Sequence, residues 1–74
     1  DDAIRTYRRA LEIDDTLAGA HYGLAFLLLK RGERDQAVRH LRAFLARAPR
    51  GSDAQKWVEH ANQSLIELGE AGAP

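Results

Sequence analysis

The side chains of this chain that could do chemistry are few and are spaced badly for it. Three histidines, His21, His40 and His60, stand 19 and 20 residues apart, so none offers the i, i+4 spacing by which a helix presents two imidazoles to one metal ion. His40 is expected in solvent. Ser52 and Ser64 lack the strained strand-to-helix turn that would make either a nucleophile. Asp14 and Asp15 are neighbours in a turn-forming stretch, which suits capping better than acid–base work. Gly19, Gly23 and Gly32 are scattered and form no loop whose amides could cradle a phosphate. Cysteine is absent, which excludes disulfides and thiolate zinc sites. The residues therefore point to no catalytic group, no metal and no cofactor, and the chain is not expected to be an enzyme.

Bulk properties narrow the partners. Eleven basic and eleven acidic residues cancel, so there is no excess of Lys and Arg for a broad polyanion surface. The longest apolar run, Leu24 to Leu29, is far shorter than the roughly 18 residues that span a bilayer, and no membrane partner is expected. The chain opens on Asp1 without a basic and apolar leader. It is expected to be a piece of a longer protein, and its compartment stays open with the cytoplasm slightly favoured. A chain of 74 residues holds one small domain, whose core is marginal without staples.

The elements that must position these residues are read from hydrophobic spacing. From Asp1 to Ile13, the residues Ile4, Tyr7 and Leu11 recur at helical spacing opposite Arg5, Arg9 and Glu12, which predicts an amphipathic helix. Asp14-Asp15-Thr16 breaks the pattern with turn and N-cap residues, and a second helix is expected to start at Thr16 or Leu17. From Leu17 to Leu29 apolar residues cover nearly the whole circumference, so this helix needs neighbours on several sides. Gly32, after Lys30 and Arg31, sits where a left-handed cap would end it. A third helix over about Arg34 to Ala48 carries Ala37, Val38, Leu41, Phe44, Leu45 and Ala48 on one face. Pro49-Arg50-Gly51 stops it, and Ser52 with Gln55 has the spacing of a capping box for a fourth helix. That helix is predicted to bury Trp57, Val58, Ala61, Leu65 and Leu68, and to act as an end cap.

The first and third helices repeat. Ala3, Ile4, Arg5, Arg8 and Leu11 recur in kind at Ala37, Val38, Arg39, Arg42 and Leu45, an offset of 34 residues. Around it stand His21-x-x-Leu24-Ala25-x-x-Leu28, the turn glycine Gly32, Ala37-x-x-x-Leu41 and the closing Pro49. In these residues the chain resembles the tetratricopeptide repeat family. The family's tryptophan slot holds His21, which is expected to pack there, and aromatic slots hold Leu28 and Leu41. The resemblance implies an all-α fold of about four helices, antiparallel hairpins stacked as a right-handed superhelix. It divides residues 1–70 into a half repeat over 1–15, a full repeat over 18–49 and a capping helix over 52–69, with 70–74 a disordered tail.

The resemblance also implies a protein-interaction module that binds a protein or peptide in a groove lined by the first helix of each repeat. The corresponding residues are Tyr22, Phe26, Leu29 and Lys30 on the second helix, with Lys56 and His60 beside them at an offset of 34. Lys30 and Lys56 echo the lysines of a carboxylate-clamp groove, whereas Tyr22 and Phe26 make this one apolar and suited to a peptide or helical segment. The competing reading packs Phe26 and Leu29 against a helix lying before Asp1. Two alternative functions remain. Ile4, Tyr7 and Leu11 lack their partner within the half repeat and could form a homodimer. Arg5, Arg8, Arg9, Arg39, Arg42 and Arg47 could form a convex ridge that weakly binds nucleic acid or another polyanion. Glu12, Glu33 and Asp35 dilute that ridge, and nucleic acid is the less expected partner.

Overall fold

The computed structural model describes residues 2–48 and 51–69, the side chains of 52 and 53 excepted. They form four helices and no strand: α1 (Asp2–Ile13), α2 (Ala18–Lys30), α3 (Arg34–Arg47) and α4 (Ser52–Glu67). The Cα atoms span 32 × 28 × 17 Å, and the thin dimension is that of two helix layers at the usual spacing of about 8–10 Å.

α2 lies at the centre because its sequence gives it no polar face. Leu24 and Leu28 join Ile4 of α1 and Ala37 of α3 in one buried cluster, with Tyr7, Leu11, Leu27 and Leu29 packed against it. Ala25 faces the other way into a second cluster with Val38, Leu41 and Phe44 of α3 and Ala61 and Leu65 of α4. Ala25 and Ala37 are both fully buried, and their small side chains allow α2 and α3 to cross closely while the leucines fill the space on either side. Gly23 serves the α1 crossing in the same way. A Cβ placed there would meet the Tyr7 ring at 2.5 Å, so the ring lies directly on the α2 backbone. Ile4 is buried and Tyr7 and Leu11 are half-buried in this contact. α2 thus covers Ile4 fully and Tyr7 and Leu11 in part.

The turn between α2 and α3 forms as its residues predict. Gly32 adopts φ +80°, its N–H donates to the Leu29 carbonyl (3.0 Å) and the Glu33 N–H to that of Leu28 (2.9 Å). This is the paired closure that a left-handed glycine makes possible at a helix end. The start of α2 differs from expectation. The helix begins at Ala18 with Leu17 as its N-cap, and no side chain caps it. Asp14 turns back on Thr16 instead, accepting from its N–H (3.0 Å) and its hydroxyl (2.5 Å). These two bonds hold the Asp14 carboxyl below the ordinary carboxylate range, the hydroxyl bond contributing most.

α4 corrects two further expectations. Its N-cap is Gly51 rather than Ser52, which moves the capping box out of register; the Ser52 side chain, Pro49, Arg50 and the tail over 70–74 lie outside the described residues. Trp57 does not belong to the buried stripe. Ala54, Ala61, Ser64 and Leu65 are the buried line and Trp57 is 50% exposed, because small residues bring the α4 backbone close and leave the indole at the edge. At the far end the guanidinium of Arg34 donates to the carbonyl of Leu68, the C-cap of α4. A cation there offsets the negative end of the helix dipole.

Candidate functional site

Side chains of α2 and α4 meet over α3, and along this seam the aromatic residues collect. Tyr22 stacks on Trp57 with ring centroids 5.6 Å apart and 21° between planes. Phe26 stacks on His60 at 4.7 Å and 1°. Tyr22 meets Phe26 edge-on at 4.9 Å, and beneath both helices it reaches Phe44 of α3, also at 4.9 Å. The strip thus grades from fully buried Phe44, through half-buried Tyr22 and Phe26, to half-exposed Trp57 and exposed His60. Pairs of this kind each add about 0.5–1.5 kcal/mol beyond their buried area, so the strip is held firmly while its outer edge stays open to solvent.

One hydrogen bond fixes the polar edge. A hydrogen bond of 2.7 Å joins the Tyr22 hydroxyl to Nδ1 of His60, the phenol donating where that nitrogen carries no proton. Burial raises the Tyr22 phenol above its usual range, which keeps the donor proton in place.

The structure brings together only part of the residue set read from the sequence. Phe26 and His60 meet at the offset of 34, and Tyr22 and Trp57 join them. Leu29 does not, since it packs on the α1 side with Leu24 and Leu28. Phe26 packs on the α3–α4 cluster. Both side chains are half-buried with partners within the described helices. Lys30 and Lys56 are exposed. With Phe26 level with His60, Lys30 lies one turn beyond that pair and Lys56 one turn before it, roughly 12 Å apart along the seam at about 1.5 Å per residue. They flank the strip at opposite ends.

His40 departs from its expected place in solvent: it is half-buried and paired. Nδ1 of His21 lies 3.0 Å from Nδ1 of His40, and Nε2 of His21 is 2.9 Å from the Asp15 carbonyl oxygen. His21 itself is buried, as the tryptophan slot implies. The His40 imidazole is held below the ordinary histidine range, first by burial and then by the charges of His21, Arg8 and Arg39.

The arginines also regroup. Arg5, Arg8 and Arg9 of α1 and Arg31 after α2 line a cleft of about 390 Å³ with Ile4 and Glu12. Part of its charge is engaged. Arg31 pairs with Glu33 at 3.4 Å and Arg5 lies 3.9 Å from Asp2. Arg8 donates to the Gln36 side-chain oxygen at 3.1 Å, and Gln36 donates onward to Glu33 at 2.8 Å. The Arg8–Gln36–Glu33 chain ties α1 to the start of α3. Among the described residues no group of three or more His, Asp or Glu side chains could hold a metal ion, and no helix is long and apolar enough to cross a membrane.

Comparison with known proteins agrees with the helical repeat. The tetratricopeptide repeat family model matches residues 1–59, which takes in α1, α2, α3 and the first half of α4. No curated protein and no solved structure matches the chain.

Proposed function

The chain belongs to the tetratricopeptide repeat family, whose repeats are typically non-catalytic protein-interaction modules, and from that premise we propose that it binds a peptide or helical segment along the aromatic strip between α2 and α4. The observation that carries this reading is Trp57. A residue of this size is costly to leave in water, and here half of it is exposed while its inner face stacks on Tyr22. Covering the exposed half of the indole removes about 120 Å² of apolar surface from water, worth about 3 kcal/mol, which is the scale of an interface hot spot. Phe26 and His60 extend the same surface by one helical turn, so a ligand with apolar side chains at i and i+3 or i+4 matches it. Lys30 and Lys56 at the two ends favour a ligand carrying acidic groups beyond its apolar centre.

Selection of a random peptide display library on the chain tests this reading. Recovered peptides are expected to be apolar with acidic flanks, and to lose at least tenfold in affinity for the Trp57→Ala and Phe26→Ala proteins. Changes on the exposed side of α3, such as Arg39→Ala and Arg42→Ala, should leave binding intact. Peptides that bind all these proteins equally would place the binding surface elsewhere.

A further inference from the structure

We propose that the His21–His40 contact is a proton-operated clasp between α2 and α3, closed by a single N–H···N bond and opened when both imidazoles are charged. Hydrogen-bond bookkeeping across three groups leads to it. The Asp15 carbonyl can only accept, so Nε2 of His21, 2.9 Å away, carries a proton and donates to it. Neutral His21 then presents a bare Nδ1, and the 3.0 Å contact requires His40 to donate from its own Nδ1. One added proton is tolerated, because either ring can be the charged donor while the other stays a neutral acceptor. A second proton leaves two N–H groups pointing at one another with no acceptor between them, and two like charges across tilted rings whose centroids are 5.2 Å apart.

The surroundings do not relieve that state. Arg8 of α1 and Arg39 of α3 are both cationic and both oppose a charge on His40. The loop before α2 offers the Asp15 carbonyl, already occupied by His21, while the Asp15 residue is exposed. The unfolded chain has no such constraint and takes up both protons near the ordinary histidine value of about 6.5. Below that pH it binds more protons than the folded chain, so folding stability is full above it and falls as the pH drops. Each excluded proton raises the unfolding equilibrium constant by at most about tenfold per pH unit. Tyr22 follows His21 on α2, so an opened clasp loosens the first turns of the helix that carries the aromatic strip.

Urea unfolding of the whole chain between pH 8 and pH 5, compared with His40→Gln, reads the clasp without reaching the ordinary carboxylate range. The wild-type unfolding constant is expected to rise several-fold more over this window than that of His40→Gln, which cannot acquire the second charge. Equal rises overturn the proposal. Histidine nitrogen spectra of the wild type give a second reading should His40→Gln fail to fold. They are expected to show the Nε2–H form of His21 and the Nδ1–H form of His40 at pH 8, with amide exchange over residues 18–22 accelerating as the second proton binds. Other tautomers, or exchange unchanged through both protonation steps, also overturn it.

Discussion

Replacing Gly23 with alanine sets two opposing effects against each other at the α1–α2 crossing. In an open helix the change stabilises by about 1 kcal/mol, because glycine is a poor helix former. Here the new methyl would lie 2.5 Å from Cζ and 2.6 Å from the hydroxyl oxygen of Tyr7, so the ring must move. Moving it exposes roughly 100 Å² of apolar surface, a cost of about 2.5 kcal/mol. The net expectation is a loss of about 1–2 kcal/mol. In a Tyr7→Leu background the ring tip is gone, and the same Gly23→Ala change should instead stabilise by about 1 kcal/mol. Urea unfolding followed by far-UV circular dichroism on the four proteins gives the coupling directly, expected at about 2–3 kcal/mol. A coupling below about 0.5 kcal/mol would refute the packing of Tyr7 on the α2 backbone.

Other positions test the same packing and its turns. Phe44→Ala removes a fully buried ring that supports Tyr22; a loss of about 3–5 kcal/mol is expected on urea unfolding, enough to unfold much of a domain whose whole stability is about 4–11 kcal/mol. Gly32→Ala meets no atom within 4 Å but must hold φ +80°, so its cost of about 1–2 kcal/mol should be purely conformational, with Gly32→Asn less affected in the same assay. Asp14 is expected to titrate below the ordinary carboxylate range by carbon-detected NMR, and Thr16→Val should return it most of the way; since its folded value is depressed, its contribution to stability is present at neutral pH and is lost as pH falls through that value.

The helices are legible in the sequence wherever spacing alone decides burial. Leu24, Leu28, Ala37 and Leu41 are buried as the repeat pattern requires, and Gly32 ends α2 in the left-handed conformation expected of it. Legibility fails where a side chain's partner lies on another helix and the choice is between near-equivalent positions. Trp57 and Ala54 are three residues apart on one side of α4, and hydrophobicity favours burying the tryptophan when close approach of the backbones needs the alanine. His40 is polar and reads as a solvated residue, because nothing local reveals that His21 approaches it across the hairpin. A signal is present all the same: a histidine in the tryptophan slot needs a partner for each ring nitrogen. Along the aromatic strip, the meeting of Phe26 with His60 follows from the repeat offset, whereas Leu29 packs on the α1 side because it lies at the border between two faces of a helix that is apolar all round.

Trp57 is the only tryptophan in the chain, so its fluorescence reports on the proposed groove without labelling. Titration of a peptide selected on the chain, followed by Trp57 emission, tests the account most directly. The expected result is a saturable blue shift whose midpoint matches the binding constant measured by calorimetry, with Phe26→Ala weakening both together. Calorimetric binding that saturates while the Trp57 emission stays unchanged would contradict the assignment of the groove to α2 and α4.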